Sequence, residues 1–246
     1  MRILLAAAPV IHREQAFNLQ TILEYMKTYC ERAELIVFGE AVLQGFDSLC
    51  WHYEEDRTVA VALTDASIVK IRAAAKRRHI AVSFGMIERR SGSLYSTQLF
   101  IGADGEIVNV FHRVSPGWKD CSQTDGHYRE GARFEKFSYG GKTFAVGLCG
   151  DLWTEGRPEE MNALSADVVL WPVWCDYPAS EWNGAVRQEY ACQAALCGHD
   201  VLLVNPFCTD PEGAGNAAGA CVHFRDGAIV REHPSGKPGV LMVTLE

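Results

Sequence analysis

The sequence predicts an α/β fold, on three observations. Apolar strands alternate with amphipathic helices from residue 2 to residue 88, two hairpins centred on turn dipeptides fill 94–148, and helix and strand return from 161 before a terminal hairpin. Taken in order, residues 2–8 are an apolar run that reads as a strand. "REQAFNLQTILEYMKTYCERA" places Phe17, Leu19, Ile22, Leu23, Tyr25 and Met26 at helical spacing. "ELIVF" is a short strand that delivers Gly39 and Glu40. "TDASIVKIRAAAKRRH" is a helix capped by Thr64 or Asp65, its basic stretch forming the wet face, and "IAVSFGMIE" is a buried strand. The hairpin "LYSTQLFIGADGEIVNVFHR" turns at Asp104 and Gly105, and "FEKFSYGGKTFAVGLC" turns at Gly140 and Gly141. "MNALSADVVLWPV", a helix over 181–198, the strand "DVLLVN" and a hairpin turning at Asp226 and Gly227 complete the order. No linker, repeat or low-complexity run interrupts it, so residues 1–246 are expected to form a single domain. One mixed sheet, or two sheets packed face to face with helices outside, accommodates these elements.

Composition narrows the function classes. A net charge of -8 and a pI near 5.5 give no electrostatic footprint for nucleic acid. The N-terminal apolar run is eight residues, too short for a membrane span and followed by polar helix, so neither a membrane nor export is expected. Nine cysteines, an odd number scattered through apolar segments, argue against a disulfide framework and for a reducing cytoplasm. None forms a C-x-x-C pair, and Cys192 and Cys197 lack a flanking histidine pair, so no metal site is expected.

Two reactive residues stand at strand ends. Cys149 closes the apolar run "TFAVGL" and precedes Gly150, whose small size leaves its backbone N–H accessible; this suits a nucleophile beside an oxyanion donor. Read alone, it is also simply one of nine thiols in an apolar setting. Glu40 follows "LIVFG", at the edge where α/β proteins gather their sites. A carboxylate there can cap a helix, or it can accept a thiol proton and return it to a leaving amine.

With these residues the chain resembles the nitrilase superfamily of carbon-nitrogen hydrolases over nearly its full length. "ELIVFGEAVLQGF" is similar to the family's segment carrying the catalytic glutamate, with Gly39 where proline is usual. "VGLCGDLW" is similar to its nucleophile segment, and "DVVLWPVW", "RQEYACQAALCGHDVLLVN" and "GACVHFRDGAIV" resemble later core segments. The resemblance implies a four-layer α-β-β-α sandwich, a small-molecule amide substrate, no cofactor, and association into a homodimer or larger homo-oligomer. It departs at "FHRVSPGWKD": Arg113 stands where the family has a catalytic lysine. Arginine keeps the charge and changes the shape. Lys119, six residues on and after the turn residues Pro116 and Gly117, is the alternative cation, with Trp118 as its anchor. Arg113 alone, Lys119 alone, and both together all satisfy the sequence, whereas His112 reads as a strand residue pointing away.

Asp125 in "TDGHYREG" is the nearest match to a second acid often present in the family, and Trp174 falls where the resemblance implies substrate-pocket residues. "GAGNAAG" at 213–219 precedes a strand, lacks the ending of a phosphate loop and reads as a flexible loop. The resemblance thus implies a thiol hydrolase of a non-peptide C–N bond acting through a Cys149 thioester. Glu40 is its base, and Gly150 with Arg113 or Lys119 holds the oxyanion. Family members that hydrolyse nitriles usually follow the cysteine with tryptophan and glutamate; Gly150 and Asp151 here favour an amide or carbamoyl substrate. Two other readings stand beside it: a weakened member that binds a ligand or partner, and an acyl transferase using the same thioester.

Overall fold

A computed structural model describes residues 1–210 and 216–246. Residues 213–215 of the predicted loop therefore lie outside the described residues, while Ala218 already opens a strand. The first sheet holds β1 (Arg2–Ala7), β3 (Leu35–Phe38), β4 (Ala81–Arg90), β5 (Ser93–Ile101), β6 (Ile107–His112) and β13 (Gly239–Thr244), in the order β13-β1-β3-β4-β5-β6. The second holds β7 (Lys136–Tyr139), β8 (Lys142–Val146), β9 (Val168–Pro172), β10 (Asp200–Cys208), β11 (Ala218–Arg225) and β12 (Ala228–His233), in the order β12-β11-β10-β9-β8-β7, with the two-residue β2 (Pro9–Val10) also pairing β10. Each sheet has a parallel centre, β1-β3-β4 in one and β8-β9-β10 in the other, flanked by antiparallel strands.

Strand periodicity explains the layers. Ile3, Leu5 and Ala7 of β1 and Leu35 and Val37 of β3 share one core with Phe144, Val169, Leu203 and Cys221 of the second sheet. Their neighbours Leu4, Ala6, Ile36 and Phe38 point the other way, onto Ile22 and Met26 of α1 (Gln15–Tyr29) and Ile68 and Ile71 of α3 (Ala66–Arg78). On the far side, α4 (Arg157–Ala163) and α6 (Arg187–Ala195) pack Met161, Tyr190, Ala191 and Ala194 against the second sheet. The result is the α-β-β-α sandwich. Because both faces of each central strand are covered, these strands read as continuous apolar runs in the sequence.

Three features carry no clear sequence signal: β13, the short helix α2 (Tyr53–Val59), and the break in the 181–198 helix, where the short α5 (Ala179–Glu181) passes through a π-helical stretch, Trp182–Val186, before α6. Among the described residues no helix is long and apolar enough to cross a membrane.

Candidate active site

β3 ends at Phe38, and Glu40 sits in the turn that follows, on a closely packed backbone. The Gly85 N–H donates to the Gly39 carbonyl at 3.1 Å, a Cβ on Gly85 would overlap this turn, and Ala41 adopts φ +49°. A non-glycine residue in that region carries strain of about 1–3 kcal/mol, which the surrounding contacts hold in place. Glu40 is fully buried, and its Oε1 accepts from Ser96 Oγ of β5 and from Arg113 Nη1, both at 2.9 Å. Its Oε2 is buried and has no hydrogen-bond partner among the described residues.

β6 ends at His112, and the alternation of the strand separates its last residues. His112 turns to Glu88, Nε2 to Oε2 at 2.7 Å, and stacks on Tyr95 at 4.2 Å. Arg113, only 3% exposed, enters the cluster with Glu40 and donates from Nε to Ser115 Oγ at 3.0 Å. Burial works against its charge, but Glu40, Cys149 and Asp151 outweigh burial and raise its pKa further.

Cys149 follows β8 at the start of a 3-10 turn, Cys149–Trp153, with φ +45°. Like Ala41, it is held in a left-handed conformation at the end of a strand. Its thiol is half-buried and donates to the Trp174 carbonyl at 3.6 Å, while Trp171 Nε1 donates to its backbone carbonyl at 3.0 Å. Asp151 ties this turn to the arginine segment. Its Oδ1 accepts the N–H groups of Val114 (3.0 Å) and Ser115 (2.7 Å), and its Oδ2 accepts that of Leu148 (2.9 Å). Burial nevertheless lifts its carboxyl to about 6, against the pull of Ser115, Arg113 and Leu148.

The cluster therefore brings together Glu40, Arg113 and the Cys149–Gly150 turn. Lys119 goes elsewhere: Nζ donates to the Tyr128 carbonyl at 2.6 Å and pairs with Glu130 at 2.7 Å, and Trp118 Nε1 reaches the same Glu130 oxygen at 3.2 Å. The tryptophan does anchor the loop, but it fixes the ammonium on Glu130 and not on Glu40. Asp125 is also not brought to the cluster; its carboxylate is 58% exposed and accepts from the N–H and ring of His127, both at 2.9 Å. Trp174 approaches the thiol through its carbonyl, while its indole packs on Phe46 and His12.

Ser96, Ser115, Cys175 and Tyr190 join the site without having been marked in the sequence. Cys175 is buried beside Cys149 with its sulfur 2.9 Å from Tyr190 Oη; the hydrogen bond with Cys149, reinforced by burial, pushes its thiol well up, so it stays protonated. The polar interruption of the apolar strand "LYSTQLF" was the available signal for Ser96. Nothing in the residues around Cys175 distinguishes it from the other eight cysteines.

A sequence model described as carbon-nitrogen hydrolase matches residues 5–246. The chain belongs to the carbon-nitrogen hydrolase family. Among curated relatives, it is 32% identical over 213 residues to a bromoxynil-specific nitrilase of Klebsiella pneumoniae subsp. ozaenae, covering 76% of this chain and 57% of that protein. It is 25% identical over 179 residues to a cyanide hydratase of Gibberella zeae, covering 64% and 45%. The chain thus spans about half the length of these relatives. Among solved structures, it is similar to a mutant of the amidase from Nesterenkonia sp. AN1 that shows the Michael addition of acrylamide at the active-site cysteine, with TM-score 0.78 and 20% identity over 100% of this chain and 93% of that one. A glutamine-dependent NAD+ synthetase from Acinetobacter baumannii matches with TM-score 0.78 and 20% identity over 98% of this chain and 44% of that chain. These likenesses bear on the fold.

Proposed function

We propose that this carbon-nitrogen hydrolase cleaves the C–N bond of a small amide or carbamoyl compound through a thioester at Cys149. The observation that carries the reading is the pairing at Glu40: one carboxylate oxygen is bound by Ser96 and Arg113, and the other is buried and has no partner among the described residues. A buried acceptor with a free lone pair of this kind is suited to take a proton. Glu40 accepts the thiol proton of Cys149 as the sulfur attacks the amide carbon. The negative charge that develops on the substrate oxygen falls to the Gly150 N–H and the Arg113 guanidinium. The intermediate collapses, the C–N bond breaks, and ammonia or an amine leaves with the proton from Glu40. Water, deprotonated by Glu40, then hydrolyses the thioester and frees the acid and the thiol. Asp151 holds the Arg113 and Cys149 segments in register, and none of these steps calls on a metal or organic cofactor.

A nitrile substrate is the second reading, favoured by the nitrilase and cyanide hydratase relatives. The same thiol would add to the nitrile carbon to give a thioimidate. Ammonia release from propionamide and benzamide, measured beside propionitrile and benzonitrile, separates the two. The amide reading expects release from the amides, lost in Cys149→Ser and Glu40→Gln. Release from the nitriles alone would replace it with the second reading. Adding hydroxylamine tests acyl transfer, since transfer yields a hydroxamate where hydrolysis yields only the free acid. No release from any of the four, and no adduct of chloroacetamide at Cys149, would leave a chain that binds without turning over.

A further inference from the structure

Gly150 lies outside the left-handed region, in backbone that any residue adopts, whereas its neighbour Cys149 carries φ +45°. Glycine is therefore not there for conformational freedom. What distinguishes the position is space: a Cβ on Gly150 would stand 2.7 Å from Arg113 Nη2, with Ser115 Oγ next at 3.6 Å. Gly117 repeats the pattern, also in ordinary backbone and with Arg113 Nη2 at 3.1 Å as the neighbour of its absent Cβ. The end of a long side chain usually gives way cheaply, but this one is clamped. Nη1 is held by Glu40, Nε by Ser115, and the whole side chain is 3% exposed. Packed interiors leave such a group little room to retreat.

We propose that Gly150, seconded by Gly117, is a positioning residue for Arg113, its missing side chain providing the slot that seats a guanidinium against the nucleophile turn where a lysine would need none. The inference rests on Arg113 and Cys149 acting at one site, as in the reading above. In this account the arginine and the glycine are one adaptation. Nη1 and Nε are used to lock the group, and Nη2 alone is delivered beside the Cys149–Gly150 peptide.

A double-mutant cycle tests it. The rate of Cys149 alkylation by iodoacetamide, followed by peptide mass spectrometry because other cysteines are exposed, is measured for wild type, G150A, R113K and R113K/G150A, with thermal melting of each. Gly150→Ala is expected to slow Cys149 alkylation at least tenfold in the wild-type background and at most threefold in Arg113→Lys, whose shorter side chain vacates the slot. The melting temperature should follow the same rescue, and Gly117→Ala should give a smaller loss that Arg113→Lys also relieves. Equal losses in both backgrounds would place the effect in the Gly150 backbone, and no loss in either would show that the slot is not needed; each overturns the inference. Because alkylation and melting need no substrate, these outcomes are distinct from failure of the hydrolase reading, which shows as absent ammonia release in the wild type.

Discussion

Replacing Arg113 by methionine keeps most of the side-chain volume and removes the positive partner of a fully buried carboxylate. At 2.9 Å between Nη1 and Oε1, the Coulomb attraction is about 6 kcal/mol at an effective dielectric of roughly 20. Part of this offsets the loss of hydration of both ions, so the net worth of the pair is smaller. A lone charge left behind in such a site, however, typically costs about 3–5 kcal/mol. For a chain of this size each kcal/mol moves the melting temperature by about 2–4 °C, so R113M should melt roughly 6–20 °C below wild type. The double variant Glu40→Gln with Arg113→Met removes the stranded charge and should melt above R113M, which simple additivity of two damaging changes would not give. Circular dichroism melting at pH 7 reads wild type, R113M and the double variant. An R113M melting point within about 2 °C of wild type, or a double variant that melts lower still, would refute the buried pair.

Lys119→Met loosens the loop at Glu130 and Tyr128 but leaves the Glu40 cluster intact, so its rate of ammonia release should stay within about fivefold of wild type; a loss approaching the roughly 10²- to 10³-fold expected for an oxyanion donor would return the lysine to the site. Ser96→Ala leaves Glu40 with only Arg113 on Oε1 and should cost about 1–3 kcal/mol by urea denaturation, since a hydrogen bond to a buried charge is lost. Asp151 gives a pH signature. Its carboxyl is raised to about 6 when folded, so the folded chain binds that proton more tightly than the unfolded chain, whose carboxyl titrates near 4. The stabilising contribution is complete below about pH 4 and is lost as the pH rises through 6. About two pH units of separation correspond to about 3 kcal/mol. The unfolding free energy of wild type minus that of Asp151→Asn should fall by that order between pH 4 and 6.5; a difference that does not change with pH would contradict the burial argument.

Glu40 and Cys149 were legible because both terminate apolar runs, and the end of such a run in an α/β chain is fixed by burial of the strand on both faces. The hairpins were equally legible: Gly105, Gly140, Gly141 and Gly227 adopt positive φ at the turns that their sequences announced. What places Arg113 and not Lys119 beside Glu40 is not local. The lysine is drawn off by Glu130 and the Tyr128 carbonyl, contacts that only the folded 118–130 loop creates, and Asp125 is likewise held at the surface by its own neighbour His127. Cys175 was opaque for a related reason: its position beside Cys149 comes from the parallel pairing of β8 with β9 and leaves no periodic mark. The strand β13 escaped because a short run after "PSGKPG" gives little periodicity; it is its register against β1, Leu5 opposite Leu241, that makes it part of the first sheet. The π-helical stretch at Trp182–Val186 inserts a residue's worth of slack into a helix that its sequence reads as continuous.

The proposed reaction depends on Cys149 carrying the acyl group. Rapid acid quenching of the protein mixed with benzamide or propionamide, followed by peptide mass spectrometry, tests it most directly. A hydroxylamine-sensitive adduct is expected on Cys149, with a mass equal to the amide less ammonia, and is expected to be absent in Cys149→Ser. Ammonia release with no acyl adduct on Cys149 at any quench time, or release that persists in Cys149→Ser, would contradict it.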